Sequence, residues 1–206
     1  MYQTHRAPVR RIGIYLCACL AMLGLASGIR DGIADEPRIN INNFGRINQN
    51  YYRGAQPSAD RFLELKGLGI KTVVDLQEDG KSKEPRWVSN AGMQYFKIPL
   101  SSRRPATAAE TDYFLNLVND PNNWPVYVHC AGGRHRTGEM TAIYRITQNS
   151  WTAEQAYEEM LKYDYYSWGG HGSLKDYVFD YYEKFSATQG AVANRALQKS
   201  AQDIQK

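Results

Sequence analysis

Cys130 and Arg136 stand at the first and seventh positions of one short loop, within Val126-Tyr127-Val128-His129-Cys130-Ala131-Gly132-Gly133-Arg134-His135-Arg136-Thr137-Gly138. A thiol and a guanidinium at that spacing suit one chemistry well. A phosphate dianion needs many donors aimed at a single point. The successive N–H groups from Ala131 to Arg136, curled at a helix N-terminus, would form such a nest. Gly132 and Gly133 would permit the close approach and the unusual backbone angles. Arg136 could grip two phosphate oxygens as a planar fork. The same donors and the helix dipole would depress the thiol pKa, leaving Cys130 as a thiolate. A thiolate so placed can attack phosphorus, giving a phosphocysteine that water then hydrolyses. From average residue usage, the set His129, Cys130, Gly133, Arg136, Thr137 and Gly138 arises by chance on the order of once in a million. The alternative reading of Cys130 is an inert core thiol.

The loop needs a strand before it and a helix after it. Pro125 to His129 is a short apolar run that reads as the strand. From Thr137 a helix begins, with Met140, Ile143, Tyr144 and Thr147 at helical spacing. Upstream, Tyr51 to Arg53 reads as a strand, and Ser58 as the cap of a helix ending near Lys66. Ile70 to Leu76 and Met93 to Leu100 read as strands, with a charged loop over 77–83 and a short helix over 84–91. Helices are expected over 107–119, 152–163 and 173–185, the second opened by a capping box of Thr152 and Gln155. Strands alternating with helices predict a single α/β domain with a mostly parallel central sheet flanked by helices. No internal repeat or low-complexity tract interrupts it.

The motif resembles the signature of the protein-tyrosine and dual-specificity phosphatase superfamily: His-Cys, five residues, then Arg-Thr or Arg-Ser. Gly133 to Gly138 is most similar to the small atypical dual-specificity branch, which includes enzymes acting on inositol pyrophosphates. Tyr52 to Pro57 and Gly69 to Leu76 also resemble the opening of that branch. The likeness spans roughly residues 51–166. It implies the cysteine-phosphatase fold, with Cys130 as nucleophile and Arg136 as phosphate clamp. It implies that Thr137 hydrogen-bonds the thiolate and eases its departure, and that His129 supports the loop from behind. Ala131, Gly132, Gly133, Arg134 and His135 would surround the phosphate. His135 would shape the loop rather than move protons, and Arg134 would point outward. No cofactor and no metal are expected.

Relatives of this kind usually place an aspartic general acid about thirty residues before the nucleophile. That stretch here is Leu100-Ser101-Ser102-Arg103-Arg104-Pro105, with no carboxylate. Glu110 and Asp112 follow at a helix start, where acids are favoured for other reasons. Asp164 could approach from the other side. The acid step is therefore expected to be weak or unconventional. Arg103 and Arg104 could contact an anionic substrate or stand solvated. The expected partner is a phosphorylated protein or an inositol phosphate. A rhodanese-type sulfurtransferase would need a shorter loop, and an arsenate reductase would need further cysteines. A non-catalytic phosphate-binding module is the remaining alternative, supported only by the missing acid.

Residues 1–28 stand apart. Arg6, Arg10 and Arg11 precede Ile12 to Ile29, a run without charge that ends in small residues. This reads as a signal peptide or, if retained, an N-terminal anchor, with the domain outside the cytoplasm. A membrane partner is expected only if the segment is retained. Three of the 25 basic residues and none of the 21 acidic ones lie there, so the formal charge of +4 falls close to zero beyond it. No nucleic-acid footprint remains. Two of the three cysteines, Cys17 and Cys19, lie in the same segment and leave Cys130 alone in the domain. Residues 29–50 read as a leader, 51–185 as the phosphatase domain and 186–206 as a helical or frayed tail.

Overall fold

The computed structural model describes residues 39–204 and the side chains of 39–196 and 198. The signal or anchor segment therefore lies outside the described residues. A five-stranded sheet in the order β1-β2-β5-β3-β4 forms the centre of the domain. Its strands are β1 (Gly45–Asn48), β2 (Tyr51–Ala55), β3 (Thr72–Gln77), β4 (Gln94–Leu100) and β5 (Val126–Cys130). Only the β1–β2 pair is antiparallel; β2–β5, β5–β3 and β3–β4 are parallel. The described residues also form six α-helices, α1 (Arg61–Gly67), α2 (Glu84–Asn90), α3 (Ala108–Asn119), α4 (Arg136–Asn149), α5 (Ala153–Lys162) and α6 (Gly172–Ile204), with a short 3-10 turn over Pro121–Asn123. The expected α/β architecture with a mostly parallel sheet is what the chain adopts.

Both sheet faces are covered, which explains the unbroken burial of β3 and β5. Neighbouring residues of β3 serve opposite faces. Val73 packs with Phe62, Leu65, Ile70 and Val88 under α1 and α2. Val74 and Leu76 pack with Phe114, Leu117, Met140 and Ile143 under α3 and α4. A third cluster, including Ile146, Ala156, Met160, Leu174 and Val178, joins α4 to α5 and α6. Each such large apolar side chain contributes about 1.5–3 kcal/mol when fully buried.

Two local readings change. Residues 39–50 are part of the fold and not a leader. Ile39, Ile41 and Phe44 pack on the α1/α2 cluster, and Gly45–Asn48 supplies the edge strand β1. Its polar asparagines hid the strand, because an edge strand needs only alternate burial. Ser58 does not cap α1. The cap position is Asp60, without a side-chain bond to the helix, and Ser58 Oγ donates to Asp60 instead. The tail beyond Phe185 is helical, as expected: α6 continues to Ile204, with the side chains of 186–196 and 198 exposed. The Thr152–Gln155 capping box is present, and Thr107 with Glu110 forms a second one opening α3.

Candidate active site

β5 lies at the centre of the sheet, with β2 and β3 on either side. Cys130, its last residue, pairs with Ala55 at the end of β2, and His129 pairs with Asp75 of β3. The segments leaving the C-terminal ends of β2, β3, β4 and β5 thus converge on one edge. That is where open parallel sheets place ligand sites. Cys130 is 3% exposed and has no disulfide partner.

Residues 131–135 then bend into the first turn of α4, and their carbonyls are all engaged. Ala131 O accepts from Gln56 N at 3.3 Å, and Gly132 O accepts from Asn43 Nδ2 at 2.9 Å. Gly133 O accepts from Nη2 of the buried Arg53. Arg134 O and His135 O accept from the N–H groups of Gly138 and Glu139 at 3.1 and 2.8 Å. With the carbonyls so engaged, the amide N–H groups of the loop are left to receive an oxyanion, and those of Gly133 and Thr137 already act on the Cys130 sulfur.

Gly133 has φ +67°, and a Cβ there would lie 2.5 Å from Gly54 C and 2.6 Å from Ala55 N. Glycine is required at this position both for its backbone angle and for its contact with β2. The expectation is corrected at Gly132. It is not among the positive-φ residues, and the nearest atom to a Cβ there would be Arg134 Cδ at 3.6 Å.

Burial pushes the Cys130 thiol up. The Thr137 hydroxyl and N–H, the Arg136 guanidinium and the Gly133 N–H outweigh it, so the thiol lies below its ordinary value. Thr137 Oγ1 has no other partner. Arg136 is buried; its Nη1 donates to Asp79 Oδ1 at 2.8 Å and to Leu100 O at 3.2 Å, and its Nε is unpaired. A thiol held below its ordinary pKa, loop N–H groups and a guanidinium with a free donor can hold a phosphoryl group for attack by sulfur.

His129 is fully buried behind the loop, with Nε2 2.6 Å from Glu84 Oε1. Gln56 Nε2 donates to the other Glu84 oxygen. Asp75 accepts from Gln77 and from Tyr95 Oη at 2.8 Å. Asp75, Glu84 and His129 could meet one ion by proximity. Asp75 and one Glu84 oxygen are engaged by protein donors, whereas His129 meets the other Glu84 oxygen only through the close 2.6 Å contact, and its Nδ1 has no partner.

His135 stacks on His171 with ring centroids 3.7 Å apart and meets Tyr166 edge-on at 4.4 Å. Burial and the neighbouring His171 lower it to about 4, so it is neutral at neutral pH and shapes the loop. His171 Nδ1 lies 2.6 Å from Ser102 O, which ties residues 101–103 to the same cluster. Arg134 is half-exposed, 3.7 Å from Asp164.

Two of the carboxylates weighed from the sequence, Glu110 and Asp112, lie elsewhere. Glu110 closes the α3 capping box and pairs with Arg104 at 3.2 Å. Asp112 lines a groove of about 720 Å³ between α3 and α6, with Tyr177, Tyr181 and Lys184. The sequence reading missed Arg53, Asn43, Asp79, Glu84 and Glu139. An arginine inside an apolar strand was a visible signal for Arg53, since arginine is rarely fully buried without a task. Asn43 and Asp79 lie on loops, where sequence carries no such contrast.

The fold and this loop define a phosphatase of the cysteine-dependent, dual-specificity type. Residues 39–170 match the family described as DSP-PTPase phosphatase fused to NAD+ kinase, and the chain belongs to that family. It is similar to the dual specificity protein phosphatase TpbA of Pseudomonas aeruginosa strain UCBPP-PA14, with 28% identity covering 84% of this chain and 78% of that protein. It is 30% identical to the putative tyrosine-protein phosphatase OCA1 of Mycosarcoma maydis, covering 59% of this chain and 79% of that one. Among solved structures, P. aeruginosa TpbA superposes with a TM-score of 0.58 at 29% identity, covering 67% of this chain and 83% of that one. The catalytic core of the PP-IP phosphatase SIW14 from S. cerevisiae gives 0.61 at 22% identity, covering 75% and 94%, a likeness of fold.

Proposed function

We propose that the protein hydrolyses phosphate monoesters through a phosphocysteine on Cys130, with Arg136 clamping the phosphate and Thr137 stabilising the thiolate. One observation carries this reading: the buried thiol is held below its ordinary pKa by the same N–H groups and guanidinium that would receive the phosphate. His129 and the residues 131–135 hold the loop in shape.

Aryl phosphates such as phosphotyrosine are the favoured substrate class. Trp168 is exposed and stacks on Tyr166 at 4.3 Å, and Tyr166 abuts His135 of the loop. This gives the mouth an aromatic wall suited to a phosphorylated ring. An inositol phosphate is the second reading. It is supported by the half-exposed Arg134 of the loop, and by curated relatives such as the inositol diphosphatase DSP3 of Arabidopsis thaliana.

The test is phosphate release from phosphotyrosine peptides and inositol phosphates by wild type, Cys130→Ser and Arg136→Lys. Cys130→Ser should lose turnover while still binding inorganic phosphate. Arg136→Lys should lose nearly as much, because an ammonium cannot reproduce the fork. Retained turnover in Cys130→Ser would end the mechanism.

The basic start and apolar run of residues 1–28 support export of the domain. An alkaline-phosphatase reporter fused after Lys206 should be active, and activity confined to the cytosol would refute export.

A further inference from the structure

Arg136 is already engaged in this fold. Asp79 stands on the loop between β3 and α2, just past the sheet end where Cys130 lies. Its carboxylate is 69% exposed, and it meets a guanidinium that is only 5% exposed. Asp79 therefore reaches Arg136 from the solvent side, the side from which a phosphoryl group and its leaving group must arrive.

Four other carboxylates have different commitments. Glu110 is held by Thr107 and Arg104. Asp112 faces the α3/α6 groove. Asp164 lies against Arg134 at the rim. Glu139 is buried and accepts from Ala106 N at 2.9 Å. Residues 100–105 contain no acid.

We propose that Asp79 is the catalytic residue that protonates the leaving group, freed from Arg136 when the substrate phosphate takes over that guanidinium. This rests on the Cys130–Arg136 reading above. Without substrate, the hydrogen bond from Arg136 holds the Asp79 carboxyl below its usual range against partial burial, with the Arg136 charge and Lys97 adding to the effect. A bound dianion reverses this. Arg136 turns to the phosphate oxygens, and a double negative charge stands beside the carboxyl, so the proton is retained where it is needed.

The bonds balance. The Cys130 sulfur pair forms the S–P bond, the P–O bond to the leaving group breaks, and the leaving oxygen takes the proton from Asp79. In the second half, the Asp79 carboxylate takes a proton from water as its oxygen bonds phosphorus. The S–P bond then breaks and the thiolate returns.

The experiment measures single-turnover phosphocysteine formation across aryl phosphates of graded leaving-group pKa. It uses the full chain as wild type, Asp79→Asn, Asp79→Glu and Asp112→Asn, and adds the inhibition constant of inorganic phosphate. Asp79→Asn should lose roughly a hundred- to ten-thousandfold on phenyl phosphate and little on dinitrophenyl phosphate, so its rates fall steeply with leaving-group pKa. Asp79→Glu should recover part of the loss, and Asp112→Asn should follow wild type. Inorganic phosphate should bind Asp79→Asn at least as tightly as wild type, because a competitor for Arg136 is gone. A uniform loss across the series with weaker phosphate binding would make Asp79 a mere support for Arg136 and overturn the proposal. Unchanged rates would overturn it as well. A wild type inert on every member would instead defeat the cysteine mechanism beneath it.

Discussion

Arg53 Nη2 donates to the carbonyl oxygen of Gly133, tying the middle of β2 to the bend of the phosphate loop. The guanidinium is fully buried, lies 3.9 Å over the Tyr163 ring, and leaves Nε and Nη1 without partners. Its burial lowers its pKa, so the charge is held at a cost that the loop contact offsets.

Removing this tie should loosen the nest. A hydrogen bond to a charged group is worth about 1.5–3 kcal/mol. Arg53→Met should therefore weaken inorganic phosphate binding roughly tenfold or more, measured as an inhibition constant. The melting temperature should fall less than a buried cavity would demand, because the same change removes an incompletely paired charge. Unaltered phosphate affinity would show that the loop keeps its shape without Arg53.

The two adjacent glycines should differ. Gly133→Ala forces a Cβ into the β2 backbone at 2.5 Å and strains a positive φ, so the variant should lose phosphate binding and stability together. Gly132→Ala meets only ordinary contacts with Arg134 and should keep its melting temperature. Parallel thermal melts check the pair.

Thr137 should set the pH at which Cys130 becomes nucleophilic. Burial raises the thiol, but the Thr137 hydroxyl, the largest of the lowering influences, acts with the Thr137 and Gly133 N–H groups and the Arg136 guanidinium to depress it in the folded protein. The thiolate form therefore persists below the ordinary thiol pKa of about 8.5. The rate of iodoacetamide inactivation should rise with pH along a limb that lies below that value in wild type and moves upward in Thr137→Val. Coincident limbs would remove Thr137 from the mechanism.

Glu139 makes stability depend on pH with an unusual sign. Burial raises its carboxyl to about 8, against the Ala106 N–H bond, and Oε2 has no partner. Its pKa is raised on folding, so its contribution is fully present below the unfolded value of 4.5. It declines as pH rises and is lost through about 8. The decline is at most about 1.4 kcal/mol per pH unit. Denaturation of wild type and Glu139→Gln from pH 5 to 8 should show wild type losing stability relative to the variant. Parallel curves would mean the carboxylate is accommodated without penalty.

The sequence by itself determined the alternation of strands and helices, the placement of Cys130 at a strand end, and the Cys130-to-Arg136 spacing. These are local properties: apolar run lengths, capping residues, and seven consecutive positions whose chemistry is legible without neighbours. It also exposed the lack of a carboxylate in residues 100–105. The tertiary structure alone decided what surrounds the loop. Asn43, Arg53 and Gln56 engage three successive carbonyls from positions more than seventy residues upstream. Polar side chains on a leader-like stretch and in and just after the inner strand β2 gave no pattern that pointed to a distant loop. Asp79 looked like part of a solvated charged segment, because its partner Arg136 arrives only when β5 inserts between β2 and β3. Parallel pairing brings the ends of non-consecutive strands to one edge, and that crossover order is what turns scattered residues into a single site.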